Sequence, residues 1–188
     1  MNPDSAVSAK MPPTDDRPRS AASAIPLLPR WICIWLLISG LIQTYDALFV
    51  LTKPLSDVGG PLGFLWPGHH LYATYDARNA AFDAFGSAQS WGNLLEVVLI
   101  AWVLLKRHSR GATLGALIVT VATFWKTVLY FLVEICGRLA FTKHVLAAGN
   151  VTGFLGIVIA PNAVWLVMPA AVIISIVRAF MAPPPPQP

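Results

Sequence analysis

Four apolar stretches, each long enough to cross a bilayer, constrain this chain more than any other feature. They cover about residues 31–52, 84–105, 112–136 and 154–177. Crossing ~30 Å of hydrocarbon takes ~20 mostly apolar residues. Lipid offers no partner to a backbone N–H or C=O, so each stretch must pair its own groups and is expected to be helical. The expected fold is an all-α integral membrane protein with four transmembrane helices. Only 12% of the residues are charged, against 56% hydrophobic, and that is about half the usual share of charge. Nine acids and thirteen bases cannot cover a water-soluble domain of 188 residues. An ordinary soluble enzyme is therefore excluded, and the apolar content equally excludes a disordered chain. A net charge of +4 is too small to suggest nucleic acid as a partner. Cys33 and Cys136 fall in apolar runs, with no disulfide framework and no zinc spacing.

Residues 1–30 read as a flexible polar tail, rich in proline and small residues, and residues 179–188 as a Pro-rich tail. The first tail lacks the early apolar stretch of a cleavable signal peptide, so no processing is expected there. Residues 31–178 form the membrane domain. Lys10, Arg17, Arg19 and Arg30 precede the first helix, Lys106, Arg107 and Arg110 join the second to the third, and Arg178 follows the fourth. The opposite side carries only Lys53, Arg78, Arg138 and Lys143. This excess of bases puts both termini in the cytosol. Trp31, Trp35, Trp91 and Trp102 lie near helix ends, where aromatic belts form. The loop from Lys53 to Asp83 is long and too aromatic for disorder, and such loops inside compact domains are often functional.

Polar side chains inside these helices are expensive, at ~2.5–3.5 kcal/mol for a charge at mid-membrane. They are expected to face the bundle or a wet cavity. Gln43 and Asp46 share one face of the first helix. Gln89, Asn93 and Glu96 form a stripe on the second, and Lys126, Tyr130 and Glu134 another on the third. Asn162 follows Pro161 on the fourth, with Trp165 one turn on, and the proline leaves a nearby backbone carbonyl for another group to satisfy. Turned inward, the stripes form one polar patch holding three acids and one cation, Lys126. Burial and like charge both favour a neutral acid, so the patch is expected to include a proton donor. Such a donor can protonate an alkene and so move a double bond. Plainer roles stand beside this one. Lys126 and Glu134 could form a structural pair, and Gln89 and Asn93 could be interhelical glue. His69 and His70 read as solvated or interfacial. Asp76, Arg78 and Asp83 read as a salt-bridge set that orders the loop.

The run VLYFLVE (Val128–Glu134), followed by NAVWLVMP (Asn162–Pro169), resembles the emopamil-binding protein family, whose EXPERA domain is a four-helix membrane module. SGLIQTYDALFVL (Ser39–Leu51) is similar to that family's first shared helix, and LYATYDARNAAFD (Leu71–Asp83) to its loop motif Y-A-x-x-D-x-R with a later Asp. The family includes sterol Δ8–Δ7 isomerases and the sigma-2 receptor. The resemblance implies an endoplasmic-reticulum protein that binds a sterol or terpenoid, sits among membrane lipid and shifts a double bond by protonation and deprotonation. Asp46 and Glu96 are the acid/base candidates. Gln43, Asn93, Lys126, Tyr130, Glu134, Asn162 and Trp165 are the expected substrate-binding residues. No cofactor or metal is implied, because the isomerisation transfers no net electrons, and homodimerisation stays open. The chain departs from the family at the centre of its relay. Gln43 stands where the isomerases have histidine, and Ser90 where they have the second-helix glutamate. Asn93 replaces a pocket threonine, and Glu96 comes six residues after the expected glutamate. A non-catalytic sterol or lipid binder, like the sigma-2 receptor branch, is the alternative.

Overall fold

A computed structural model describes residues 28–80 and 83–183. The elements in order are α1 (Arg30–Leu51), a 3-10 turn (Gly63–Leu65), α2 (Pro67–Ala73), α3 (Ala77–Ala80), α4 (Ala84–Leu105), α5 (Arg110–Cys136), α6 (Lys143–Ala147), α7 (Val151–Gly153), a π-helical stretch (Phe154–Ile159) and α8 (Ala160–Met181). No strand occurs among the described residues. Four helices are long and apolar enough to cross a membrane: α1, α4, α5 and the continuous run Val151–Met181. The protein is an all-α, integral membrane protein. Both expected tails lie mostly outside the described residues. Their inner ends are ordered: Leu28 packs into the core, and α8 runs on to Met181.

Local chemistry sets the helix starts. Asp83 caps α4 by accepting from the Gly86 amide at 2.6 Å, and Ser109 caps α5 by accepting from the Ala112 amide at 3.2 Å. The Ser109 cap brings α5 in at Arg110, two residues before its apolar run begins. The last span is longer than the apolar stretch because Asn150 caps a further turn, accepting from the Gly153 amide at 3.0 Å. Pro161 has no N–H to continue the ladder, and the π-helical turn lies just before it. Asn162 Nδ2 donates to the Val158 carbonyl at 2.7 Å, so the side chain next to the proline satisfies the nearby carbonyl.

The surface is as apolar as lipid requires. Leu41, Leu95, Ile118, Trp125, Leu129 and Val167 are exposed, while Ser39, Gln43, Ser90, Asn93 and Glu96 are buried. α1 packs on α4, α4 on α5 and α5 on α8, and Trp35 meets Trp165 between α1 and α8 with ring centroids 5.6 Å apart. One half of the bundle is a dry core of Ile32, Leu36, Ile100, Val103, Ala112, Ala116, Val119, Val172 and Ile176. Gly115 makes that half tight: a Cβ there would come within 2.7 Å of Trp102 and 2.8 Å of Val103. The tryptophans divide accordingly. Trp31, Trp91 and Trp102 are exposed as a belt would have them, but Trp35 is buried and belongs to the core. The other half of the bundle holds a cavity, and the segment between α1 and α4, a cap, contributes α2 and α3 to its wall.

Candidate functional site

The cavity is about 460 Å³, within the ~300–1,000 Å³ range of small-molecule pockets. All four long helices line it, together with α2 and α3 of the cap. Ile42, Val50, Phe85 and Trp165 supply apolar wall, and two polar networks are set into it.

The first network joins three helices and the cap. Lys126 Nζ lies 2.8 Å from Glu96 Oε1 and also donates to Asn93 Oδ1. Thr123 Oγ1 donates to the other Glu96 oxygen at 2.7 Å. Asn93 Nδ2 donates to Asp46 Oδ2 at 3.1 Å, so one amide links the ammonium to the carboxylate. Asp46 Oδ1 is 3.1 Å from His69 Nε2. The His69 ring is held by Phe49, with centroids 4.7 Å apart, and by the edge of Tyr45 at 5.0 Å. Tyr45 in turn donates to the Leu65 carbonyl at 2.5 Å, and Trp66 Nε1 donates to the Tyr45 carbonyl at 3.1 Å. His70 is a pin within the cap, with Nε2 2.8 Å from the Ser56 carbonyl.

One turn along α2 and α5 lies the second network. Asp76 is fully buried and receives four donors: the Arg78 amide, Nε and Nη2 at 2.9, 3.2 and 3.1 Å, and the Tyr130 hydroxyl. The Arg78 guanidinium lies 3.9 Å from the Tyr130 ring centroid and 4.7 Å from that of Phe141. Burial alone would favour its neutral form, but the hydrogen bonds to Asp76 and the neighbouring acids outweigh this and shift its pKa upward. Tyr72 and Tyr130 share a hydroxyl hydrogen bond at 2.7 Å, and Asn162 Nδ2 donates to the Tyr72 oxygen at 3.0 Å. Burial pushes the Tyr72 phenol up to about 12.

Most of the residues expected from the sequence meet here. Gln43, Asp46, Asn93, Lys126, Tyr130, Asn162 and Trp165 all line the cavity. Glu96 stands behind Lys126, outside the wall, and reaches the site through the ammonium. Glu134 stands apart, eight residues and so ~12 Å along α5 from Lys126. Its Oε1 accepts from the Thr142 amide at 2.9 Å and from the Thr142 hydroxyl at 2.5 Å. Its Oε2 makes no hydrogen bond but lies 3.6 Å from Arg78 Nη2. Glu134 thus braces the turn after α5, where Arg138 and Leu139 both adopt left-handed φ values of 55° and 60°, a costly state for residues other than glycine. Lys126 and Glu134 do not pair; each has its own partner. Gln89 does act as interhelical glue, donating from Nε2 to the Lys126 carbonyl at 3.0 Å. Of the loop set, Asp76 and Arg78 form a buried ion pair, while Asp83 caps α4 instead.

Sequence reasoning missed His69 as a site residue. It sits 23 positions from Asp46, in a loop whose path no periodicity reveals. Tyr72 lies in the same loop, and no spacing in the sequence reveals its hydroxyl contacts to Tyr130 and Asn162. Gln43 makes one local bond, from Nε2 to Ser39 Oγ at 2.9 Å, and its Oε1 has no partner. Ser90 is likewise turned to its own helix, donating to the Gly86 carbonyl at 2.9 Å. No protein-family model matches this chain, and no curated protein is significantly similar to it.

Proposed function

We propose that this membrane protein binds a sterol or terpenoid in its bundle and shifts a ring double bond by protonation and deprotonation. The observation that carries the reading is the His69–Asp46 pair on the wall of a largely apolar cavity. A histidine absent from position 43 is supplied instead by the cap, beside the same carboxylate. In the reaction, the pair gives a proton to one alkene carbon and takes one back from a neighbouring carbon. One C–H bond forms, one breaks, and the pair ends as it began, so no electron acceptor is needed. The Asp46 carboxylate and the Trp165 ring, both on the wall, favour the cationic intermediate. Asn93 holds Asp46 in place, and Lys126 with Glu96 holds Asn93. The resemblance to the EXPERA module supports the same reading and residence in the endoplasmic reticulum, and the excess of bases at Lys106, Arg107 and Arg110 supports cytosolic termini. The cap then lies on the lumenal side.

A second reading, a sterol or lipid binder without catalysis, is favoured by Gln43 and Ser90, whose side chains bond only within their own helices. Expression in cells lacking sterol Δ8–Δ7 isomerase, with sterols read by mass spectrometry, separates the two. Conversion of the Δ8 sterol, lost in Asp46→Asn and in His69→Gln, is the expected result. No conversion by the parent chain, with saturable sterol binding intact, would establish the binder.

A further inference from the structure

The hydrogen bonds around Tyr72 can only run one way. Four donors converge on Asp76, so its oxygens accept and the Tyr130 hydroxyl must donate to it. The Tyr130 oxygen then accepts the Tyr72 hydrogen, and the Tyr72 oxygen accepts from Asn162 Nδ2. Asn162 spends its second amide hydrogen on the Val158 carbonyl. Every hydroxyl and amide hydrogen of Tyr72, Tyr130 and Asn162 is therefore committed to the protein. What remains are acceptors: a lone pair on the Tyr72 oxygen, and Asn162 Oδ1, which has no partner among the described residues. Both residues line the cavity.

We infer that the Tyr72–Asn162 corner is a hydroxyl-recognition subsite, which takes ligands bearing a free alcohol and discriminates against the corresponding ketone, ether or ester. An alcohol donates into this corner without disturbing it. From Tyr72 and Asn162 a carbonyl oxygen meets only lone pairs unless Tyr72 turns its hydrogen away from Tyr130, which breaks the chain to Asp76. An ether or ester has no hydrogen to give. The corner lies one helical turn, about 6 Å, from the His69–Asp46 pair along α2, so it also sets where the reacting bond falls relative to the alcohol.

This inference rests on the cavity's being a sterol or terpenoid site, and the experiment separates the two. The full chain in lipid nanodiscs is incubated with tritiated 5α-cholest-8-en-3β-ol, and the unlabelled alcohol, its 3-ketone and its 3-O-methyl ether compete. The alcohol is expected to compete about tenfold better than either analogue, the scale of one hydrogen bond. In Tyr72→Phe that preference should shrink to a few-fold or less. Equal competition by all three, or an unchanged preference in Tyr72→Phe, overturns the subsite while leaving the sterol reading intact. No binding of the tritiated alcohol overturns the sterol reading, and the subsite with it.

Discussion

The two halves of the bundle are built from the same four helices and solve opposite problems. Around Ile32, Val103, Ala116 and Ile176 the helices are dry and pressed together, close enough that Gly115 has no room for a methyl group. Around Asp46, Asn93, Lys126 and Tyr130 they are held apart by a cavity, yet their polar side chains are almost all paired. Lipid tails are as apolar as leucine, so burial from water does little to drive helices together in a membrane. Close packing of small residues does that work in one half, and interhelical hydrogen bonds do it in the other. The dry half thus serves stability alone, whereas the paired groups of the other half both hold helices together and line the cavity.

That separation can be broken experimentally. The largest effect is expected where the polar half is also structural. Arg78→Leu leaves Asp76 buried without its ion pair, which should destabilise the fold by about 3–5 kcal/mol, read as a drop in thermal unfolding temperature in detergent. If stability survives Arg78→Leu, the second network is dispensable and the comparison loses half its content. Under the proposed isomerisation, Asp46→Asn should act on turnover instead. Losing one member of an acid/base pair costs about 10²–10⁴-fold in rate, with an unfolding temperature close to that of the parent chain.

Tyr72 offers a test by pH. Its folded pKa, about 12, is raised above the ordinary value of 10.0. A raised value means the folded state holds the proton more tightly, so this stability is complete below pH 10 and disappears as pH climbs toward 12. The amount is roughly 3 kcal/mol, and alkaline unfolding followed by circular dichroism should begin at higher pH in Tyr72→Phe. In the dry half, Gly115→Val should cost about 1–3 kcal/mol by overpacking against Trp102 and Val103. The surviving folded fraction should keep the parent's ligand affinity, measured by the same competition assay. The smallest effect belongs to Ser109→Ala, which removes a helix cap for about 1 kcal/mol and should leave turnover untouched.

The spans were legible because lipid demands length and apolarity, and nothing in the loops can disguise a run such as Trp31–Thr52. The inward stripes were legible too, since residues three, four or seven apart share a helix face. That is why Asn93 and Lys126 were expected on the cavity and are found there. Periodicity says nothing of depth, however. Lys126 and Glu134 share a stripe but answer to different neighbours, one to Glu96 and the other to Thr142 and Arg78. Nor does it say where a loop returns. His69 reached Asp46 through a cap fastened by Tyr45, Trp66 and His70, each bonding to a backbone carbonyl that a sequence does not reveal.

The cap supplies His69 to one network and Tyr72 to the other from a single helix of seven residues. Lifting α2 away from the bundle would part His69 from Asp46 and Tyr72 from Tyr130 in the same movement. The two polar networks are thus coupled through one short helix, and a change at either end of α2 reaches both.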